Sequence, residues 1–206
     1  MTNLLKKSIS PFVETIKLEG GFFSSLAYHQ TRMDETRAAF IEKPEPLSLP
    51  LALMKAGSIP PKGLYRVRVI YFDSIESIEF IPYEKREVMS LKLIESDVDY
   101  AYKYEKRPVI NTLFQQKKKC DDILITQNGL ITDTSIANVA LLKDGIWYTP
   151  KSPLLKGTKR ASLLHHGLIT ERDIHQDTLL EYESIRLFNA MIEFGECEFT
   201  TKNILN

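Results

Sequence analysis

Cysteine is scarce: Cys120 and Cys197 are the only two, and their separation gives neither a metal-ligand spacing nor a disulfide framework. A reducing cytoplasm is the expected location, with no metal site. Net charge is missing too, because 27 Lys and Arg stand against 27 Asp and Glu. Without an overall field, neither nucleic acid nor a membrane surface is an expected partner, and any anion the chain binds must be held by local design. Long apolar runs are absent as well. No stretch approaches a membrane span, and residues 1–10 carry two lysines but no apolar core of signal-peptide length. There is no internal repeat and no low-complexity tract. What is there is a chain of 206 residues, 43% of them hydrophobic, enough to bury one sizeable core or two small ones. A stable soluble globular protein is the expectation.

Alternation in Phe12-Val13-Glu14-Thr15-Ile16-Lys17-Leu18, then Gly20-Gly21 and Phe22-Phe23, predicts a hairpin. Residues 25–41 lack Gly and Pro, and Leu26, His29, Met33 and Ala38 to Phe40 recur near helical spacing, which predicts an amphipathic helix with Arg32 on its polar face. A proline-rich passage follows, with one short helix expected around Leu51 to Lys55. Leu64 to Phe72, Ser77 to Pro82 and Val88 to Ile94 are rich in β-branched and aromatic residues and read as three more strands of the same antiparallel sheet. The acidic stretch Glu95 to Asp99 reads as a linker. Beyond it come a helix over 108–119, four strands between Ile123 and Tyr148, a helix from about Thr158 to His166, and strands near 168–174 and 184–191. The expected class is α+β in two lobes, residues 1–95 forming a small N-terminal lobe and residues 96–206 a larger, β-rich C-terminal lobe.

Taken singly, the chemically interesting residues have ordinary explanations. Lys103, in Tyr100-Ala101-Tyr102-Lys103-Tyr104, could be a solvated loop lysine, although tyrosines on both sides would partly desolvate its ammonium and lower its pKa. Asp133 could be a strand-end carboxylate bonded to backbone amides, and Gly157-Thr158-Lys159-Arg160 a capped helix start. Arg32 could be a surface charge and His29 a packed core residue.

The joint pattern is more specific. Phe12-x-Glu14-Thr15-Ile16, His29-x-x-Arg32-Met33, Lys103-x-x-x-Arg107, Asp121-Asp122-Ile123-Leu124, Asn128-Gly129-x-x-x-Asp133-x-Ser135-x-Ala137-Asn138, Thr149-Pro150, Leu155-x-Gly157-x-x-Arg160 and Asn189-Ala190 follow one another along nearly the whole chain. In that order they resemble the class IV aminotransferases, the fold type IV pyridoxal-phosphate (PLP) enzymes. The Lys-x-x-x-Arg form and the compact length are most similar to the aminodeoxychorismate lyases of that family.

The resemblance implies a small N-terminal α/β sandwich lobe, a larger β-rich lobe, PLP between them and a homodimer. It makes Lys103 the catalytic lysine that carries the cofactor as a Schiff base and moves protons on the substrate. Asp133 stands where the family usually has Glu facing the pyridine nitrogen, a shorter side chain in the same role. Arg32 would pair with the cofactor phosphate, His29 would support its helix, and Gly157, Thr158 and Lys159 would add a helix start, Lys159 through its backbone. Ser135 and Asn138 would shape the turn that holds Asp133, and Asn189 would reach the substrate. The strand at Phe12 lies nearer the start of the sequence than in other family members, which bears on the substrate pocket more than on the cofactor. The implied reaction releases pyruvate from 4-amino-4-deoxychorismate and leaves 4-aminobenzoate for folate synthesis. An aminotransferase of branched-chain or D-amino acids would use the same residues, and a non-catalytic relative would keep only the architecture.

Overall fold

The structure is a computed structural model that describes residues 10–205. The chain forms two compact units. One runs through Tyr83 and takes in Tyr102–Arg107; the other consists of Glu84–Ala101 and Pro108–Asn206. The chain therefore crosses between units three times, where one boundary after residue 95 was expected, and Lys103 belongs with the first unit.

The first unit is built on β1 (Phe12–Glu19), β2 (Phe22–Phe23), β3 (Leu64–Tyr71) and β4 (Ile75–Pro82), an antiparallel sheet in the order β2-β1-β3-β4. Full pairing of β1 with β3, from Phe12 opposite Tyr71 to Glu19 opposite Leu64, sets which side chains share a face. Phe12, Ile16, Leu18, Val67, Val69 and Tyr71 share one, and all are buried with Met33 of helix α1 (Leu26–Phe40) and Leu49 and Leu53 of helix α2 (Leu49–Lys55). Helix α2 starts at Ser48, whose hydroxyl accepts from Leu51 N, with Pro50 in the first turn.

Helix α1 falls where the sequence predicts it, but its buried row is His29, Met33, Thr36 and Arg37, and Ala38 and Ala39 face solvent. Polar bonds hold this face. Arg37 donates to the carbonyls of Phe72 and Asp73, and Thr36 hydrogen-bonds Tyr71. Apolar periodicity thus placed His29 and Met33 inside correctly, with Leu26 and Phe40 against the core, but took Ala38 and Ala39 for buried and missed Thr36 and Arg37.

The second unit carries β5 (Leu91–Glu95), helix α3 (Pro108–Phe114), β6 (Asp122–Gln127), β7 (Leu130–Thr134), β8 (Asn138–Lys143), β9 (Ile146–Pro150), helix α4 (Thr158–His165), β10 (Thr170–Arg172), β11 (Ser184–Phe188), β12 (Cys197–Thr200) and β13 (Ile204–Leu205). Its nine-stranded sheet runs β10-β9-β8-β7-β6-β5-β13, with β11 joining β8 and β12 joining β11. Placing β5 in the first sheet is thus corrected. It pairs in parallel with β6 and with β13, and parallel neighbours far apart in sequence leave no local mark. The acidic stretch is not a linker either, since Ser96 N bonds Thr126 O, Glu95 accepts from Thr126 and Asn128, and Val98 is buried with Ile123 and Ile125. Strand β6 is buried at five successive residues, so that its apolar Ile123-Leu124-Ile125 run is covered on both faces. No helix among the described residues is long and apolar enough to cross a membrane.

Candidate active site

In the first unit four polar side chains gather at the beginning of β1. Glu14 alternates into the apolar row of that strand and is completely buried. Its carboxylate accepts Arg32 Nε at 2.9 Å, a terminal Arg32 nitrogen at 2.6 Å and His29 Nδ1 at 2.5 Å. The two-pronged geometry is that of a guanidinium matched to a carboxylate. Helix α1 supplies both partners, because His29 and Arg32 are three residues apart and so neighbours on its surface.

Burial pushes the Glu14 carboxyl up, but Arg32 and His29 outweigh it and bring the pKa down to about 2. Burial lowers the His29 pKa against the pull of Glu14. At neutral pH this leaves an ionised Glu14 facing a neutral imidazole, and an ionised carboxylate only accepts. Nδ1 of His29 must therefore carry the proton, which makes Nε2 the acceptor nitrogen.

Lys103 arrives by a short return of the chain beside β1. Val13 N donates to Lys103 O at 2.9 Å, Glu105 N donates to Pro11 O at 2.7 Å, and Tyr104 bridges Phe12. Tyr102 and Tyr104 are anchored in the aromatic core, with Phe40 and Tyr102 centroids 4.8 Å apart and Phe12 and Tyr104 centroids 5.1 Å apart. Tyr104 N donates to Tyr102 O at 3.0 Å, a tight turn centred on Lys103. Burial, followed by Arg32, lowers its amine pKa to about 7, with Arg107 and Arg66 adding and Glu14 opposing.

The second unit holds the other candidates. Asp133 on β7 and Asn138 on β8 face each other as the one register pair joining those strands. Asn138 Nδ2 donates to Asp133 Oδ1 at 2.7 Å and to Leu155 O at 2.8 Å, while Leu155 N donates to Asp133 Oδ2 at 2.8 Å. Despite these donors and the nearby Arg160, burial dominates and raises the Asp133 pKa to about 7. Gly157 caps α4 and is crowded, since a Cβ there would lie 2.0 Å from Asn138 Oδ1. Its neighbour Thr158 is buried, and the first backbone N–H groups of α4 have no partner within the helix. The Lys159 side chain is bound to Glu193 at 2.5 Å, so only its backbone is open to the expected role.

Two expected residues are occupied locally. Ser135 hydrogen-bonds Asp122, a completely buried carboxyl whose pKa is raised by burial. Asn189 Oδ1 accepts from Met191 N and Ile192 N, and its Nδ2 donates to Ile136 O, which ties down a turn after β11. Sequence reasoning gave Glu14 and Arg160 no role. Glu14 had a signal, being a charge in the apolar parity of β1. Arg160, which donates to Pro150 O at 2.8 Å and Glu171 at 2.7 Å, had none beyond its place in the motif.

Buried ionisable groups with displaced pKa values, Lys103 and Glu14 in one unit and Asp133 in the other, are of the kind that active sites carry. The comparisons identify the family. The family model for class IV aminotransferases matches residues 109–197. A Haemophilus influenzae "Uncharacterized protein" is 34% identical over 183 residues, 88% of this chain and 97% of that protein. A solved structure described as a "putative 4-amino-4-deoxychorismate lyase" from Haemophilus somnus 129pt is 35% identical, with a TM-score of 0.82, 88% of this chain covered and 96% of that one. A Schizosaccharomyces pombe protein named "Putative aminodeoxychorismate lyase" is 40% identical over 81 residues, 37% of this chain and 35% of that protein. The chain belongs to the class IV aminotransferase family, and its fold is the type IV fold of PLP-dependent enzymes.

Proposed function

We propose that the chain is a PLP-dependent lyase that converts 4-amino-4-deoxychorismate to 4-aminobenzoate and pyruvate, a step of folate synthesis. The observation that carries this reading is the Lys103 amine, lowered to a pKa of about 7 beside Arg32 and Glu14. Near neutrality such an amine is unprotonated in about half the molecules, against fewer than about one in a thousand for an ordinary lysine. Similarity over most of the chain to the Haemophilus somnus protein described as such a lyase supports the choice of substrate.

The residues fit the cofactor. Lys103 offers a neutral amine to an aldehyde, and Arg32 offers a cation to a phosphate. In the second unit Asp133 offers a carboxyl to a pyridine nitrogen. The Asp133 oxygens accept from Asn138 and from the backbone of Leu155 and Leu154, and the two oxygens together have lone pairs for a further donor. Gly157, Thr158 and Lys159 would give backbone N–H groups to the phosphate. When bound, PLP supplies an electron sink for a carbanion. Lys103 Nζ takes the proton from the substrate carbon that bears the amine, and the ring becomes aromatic as pyruvate departs. Glu14 keeps Arg32 in place and His29 braces Glu14.

The family's description as aminotransferases favours a second reading, in which Lys103 returns the proton to a different carbon and a 2-oxo acid receives the amino group. Formation of 4-aminobenzoate from freshly made substrate, with PLP and without a 2-oxo acid, separates the two. The native enzyme should form it and Lys103→Ala should not. A yellow protein that makes none would be read as an aminotransferase. The working assembly we propose is a homodimer in the cytoplasm, and a monomeric mass by light scattering would overturn it.

A further inference from the structure

Between β9 and α4 the chain makes a loop without regular structure, and this loop supplies donors to Asp133. Leu155 N bonds Asp133 Oδ2 at 2.8 Å, Leu154 N donates to the same carboxyl, and Leu155 O accepts from Asn138 Nδ2 at 2.8 Å. Backbone donors in a loop stay on target only where the loop is tied down. Its middle is held by Leu154, buried with Ile123 and Ile125. Its ends are joined by one side chain. Arg160, in the first turn of α4, donates from one terminal nitrogen to the carbonyl of Pro150, the last residue of β9, at 2.8 Å and to Glu171 of β10 at 2.7 Å.

Nothing about α4 itself favours an arginine there. A cation in the first turn stands against the positive end of the helix dipole. The Arg160 side chain is only 5% exposed, and its Nε is buried without an acceptor. An aliphatic residue would fill the space without either cost. What the arginine adds is a bond that closes the loop on Pro150 and a positive charge near Asp133. Gly157 brings the start of α4 in close: a Cβ there would meet Asn138 Oδ1 at 2.0 Å and Arg160 Cβ at 3.9 Å, and Asn138 is itself a donor to Asp133. Arg160 is also among the influences that lower the Asp133 pKa against its burial. Its acidic partner, Glu171, is half exposed on an edge strand, so water screens that partner and cancels the Arg160 charge only in part.

We propose that Arg160 is a positioning residue for Asp133. It clasps Pro150 to the start of α4, so that Leu154 and Leu155 stay against the carboxyl, and it sets beside that carboxyl the cation that favours its ionised form. The use of that form, to meet the ring nitrogen of PLP, rests on the function proposed above; the clasp itself does not.

The test is made in cofactor-free protein. Asp133 is followed by carboxyl-carbon NMR, its signal assigned by its loss in Asp133→Asn, because Asp122 is a second buried carboxyl in this unit. Arg160→Met should move the Asp133 midpoint up from about 7 by about one unit. It should also speed exchange of the Leu155 amide at least about tenfold, while Ile123 and Ile125 in β6 keep native rates. Arg160→Lys keeps the charge and, being shorter, can reach one of the two acceptors, so it should recover at least about half of both effects. Glu171→Gln changes only a half-exposed edge position and leaves Arg160 uncompensated, so it should move the midpoint the other way, down by roughly a few tenths of a unit. The inference is overturned if the midpoint does not move in Arg160→Met, or if the β6 amides accelerate as much as Leu155, either of which makes Arg160 a brace of the fold and nothing more. Should Arg160→Met not fold, Glu171→Gln decides alone, and a midpoint that stays or rises overturns the inference. A protein that never takes up PLP would sink the cofactor reading and leave these results standing.

Discussion

Two carboxyls in this molecule are buried about equally, Glu14 in the first unit and Asp133 in the second, and their pKa values are displaced in opposite directions. Glu14 sits at about 2 and Asp133 at about 7. Burial raises both. What differs is the company. Glu14 faces a guanidinium in two-pronged contact and an imidazole N–H, whereas Asp133 receives only neutral N–H donors, from Asn138, Leu155 and Leu154, with Arg160 a lesser influence. Neutral donors trim the desolvation cost of a carboxylate, and a matched cation reverses it. Each setting suits the role proposed for it. Glu14 is a permanently charged anchor under Arg32, and Asp133 is a carboxyl that becomes charged when a cationic ring nitrogen arrives.

The contrast predicts opposite pH signatures. Asp133 has a folded pKa above its unfolded value near 3.8, so its protonated form favours the fold below that pH and the benefit is lost as pH rises through about 7. The loss is on the order of 4 kcal/mol, the largest effect expected here. In cofactor-free protein the urea midpoint should therefore fall between pH 5 and pH 8, and Asp133→Asn should flatten most of that slope. An unchanged slope would mean that Asp133 is already ionised at pH 5. Glu14 behaves the other way. Its folded pKa lies below the unfolded value near 4.5, so its stabilisation is present above that pH and disappears as pH drops toward 2.

Removing the Glu14 charge at neutral pH should be nearly as damaging. Glu14→Gln keeps the shape but leaves Arg32 against a neutral amide in a buried place, at a cost of about 3 kcal/mol. Chemical denaturation at pH 7 reads it directly, and a loss below about 1 kcal/mol would show that solvent, not Glu14, neutralises Arg32. Gly157→Ala tests the Asp133 side by shape rather than charge. Its methyl would need the space of Asn138 Oδ1, so the Asn138 bond to Asp133 should break, at a cost of about 2 kcal/mol. Retained native stability would mean that α4 can shift without disturbing Asp133.

The sequence disclosed the two settings unevenly. The period-2 pattern of β1 put Glu14 in line with Phe12, Ile16 and Leu18, so a charge aimed into the core was legible, and His29 and Arg32 at i and i+3 were legible as one patch of a helix. That the patch and the strand charge meet is a tertiary fact. The cores of β6 to β9 could be read from apolar runs split by Asn128-Gly129 and Asp144-Gly145, where the structure has positive φ at all four residues. The transfer of β5 to the second sheet, the edge strands β12 and β13, and the return of residues 102–107 to the first unit were not legible. Parallel pairing and chain return depend on partners distant in sequence, and strands of two to four residues are too short to show a period.

The finest test of the comparison is the titration of Lys103 itself, because it lies within the field of the Glu14 network and reports both of its signs. Arg32 lowers the amine pKa and Glu14 raises it. Arg32→Met should therefore move the midpoint up from about 7, by about one unit or less, and Glu14→Gln should move it down by a similar amount. Lysine trinitrophenylation followed by mass spectrometry across pH 5 to 10 in the cofactor-free protein gives the midpoint at this one residue. Movement in opposite directions would establish that the charges of the anchor tune the amine. Parallel movement would mean that both substitutions act by letting water reach Lys103, and then burial alone, not the Arg32 and Glu14 pair, would account for its neutral state.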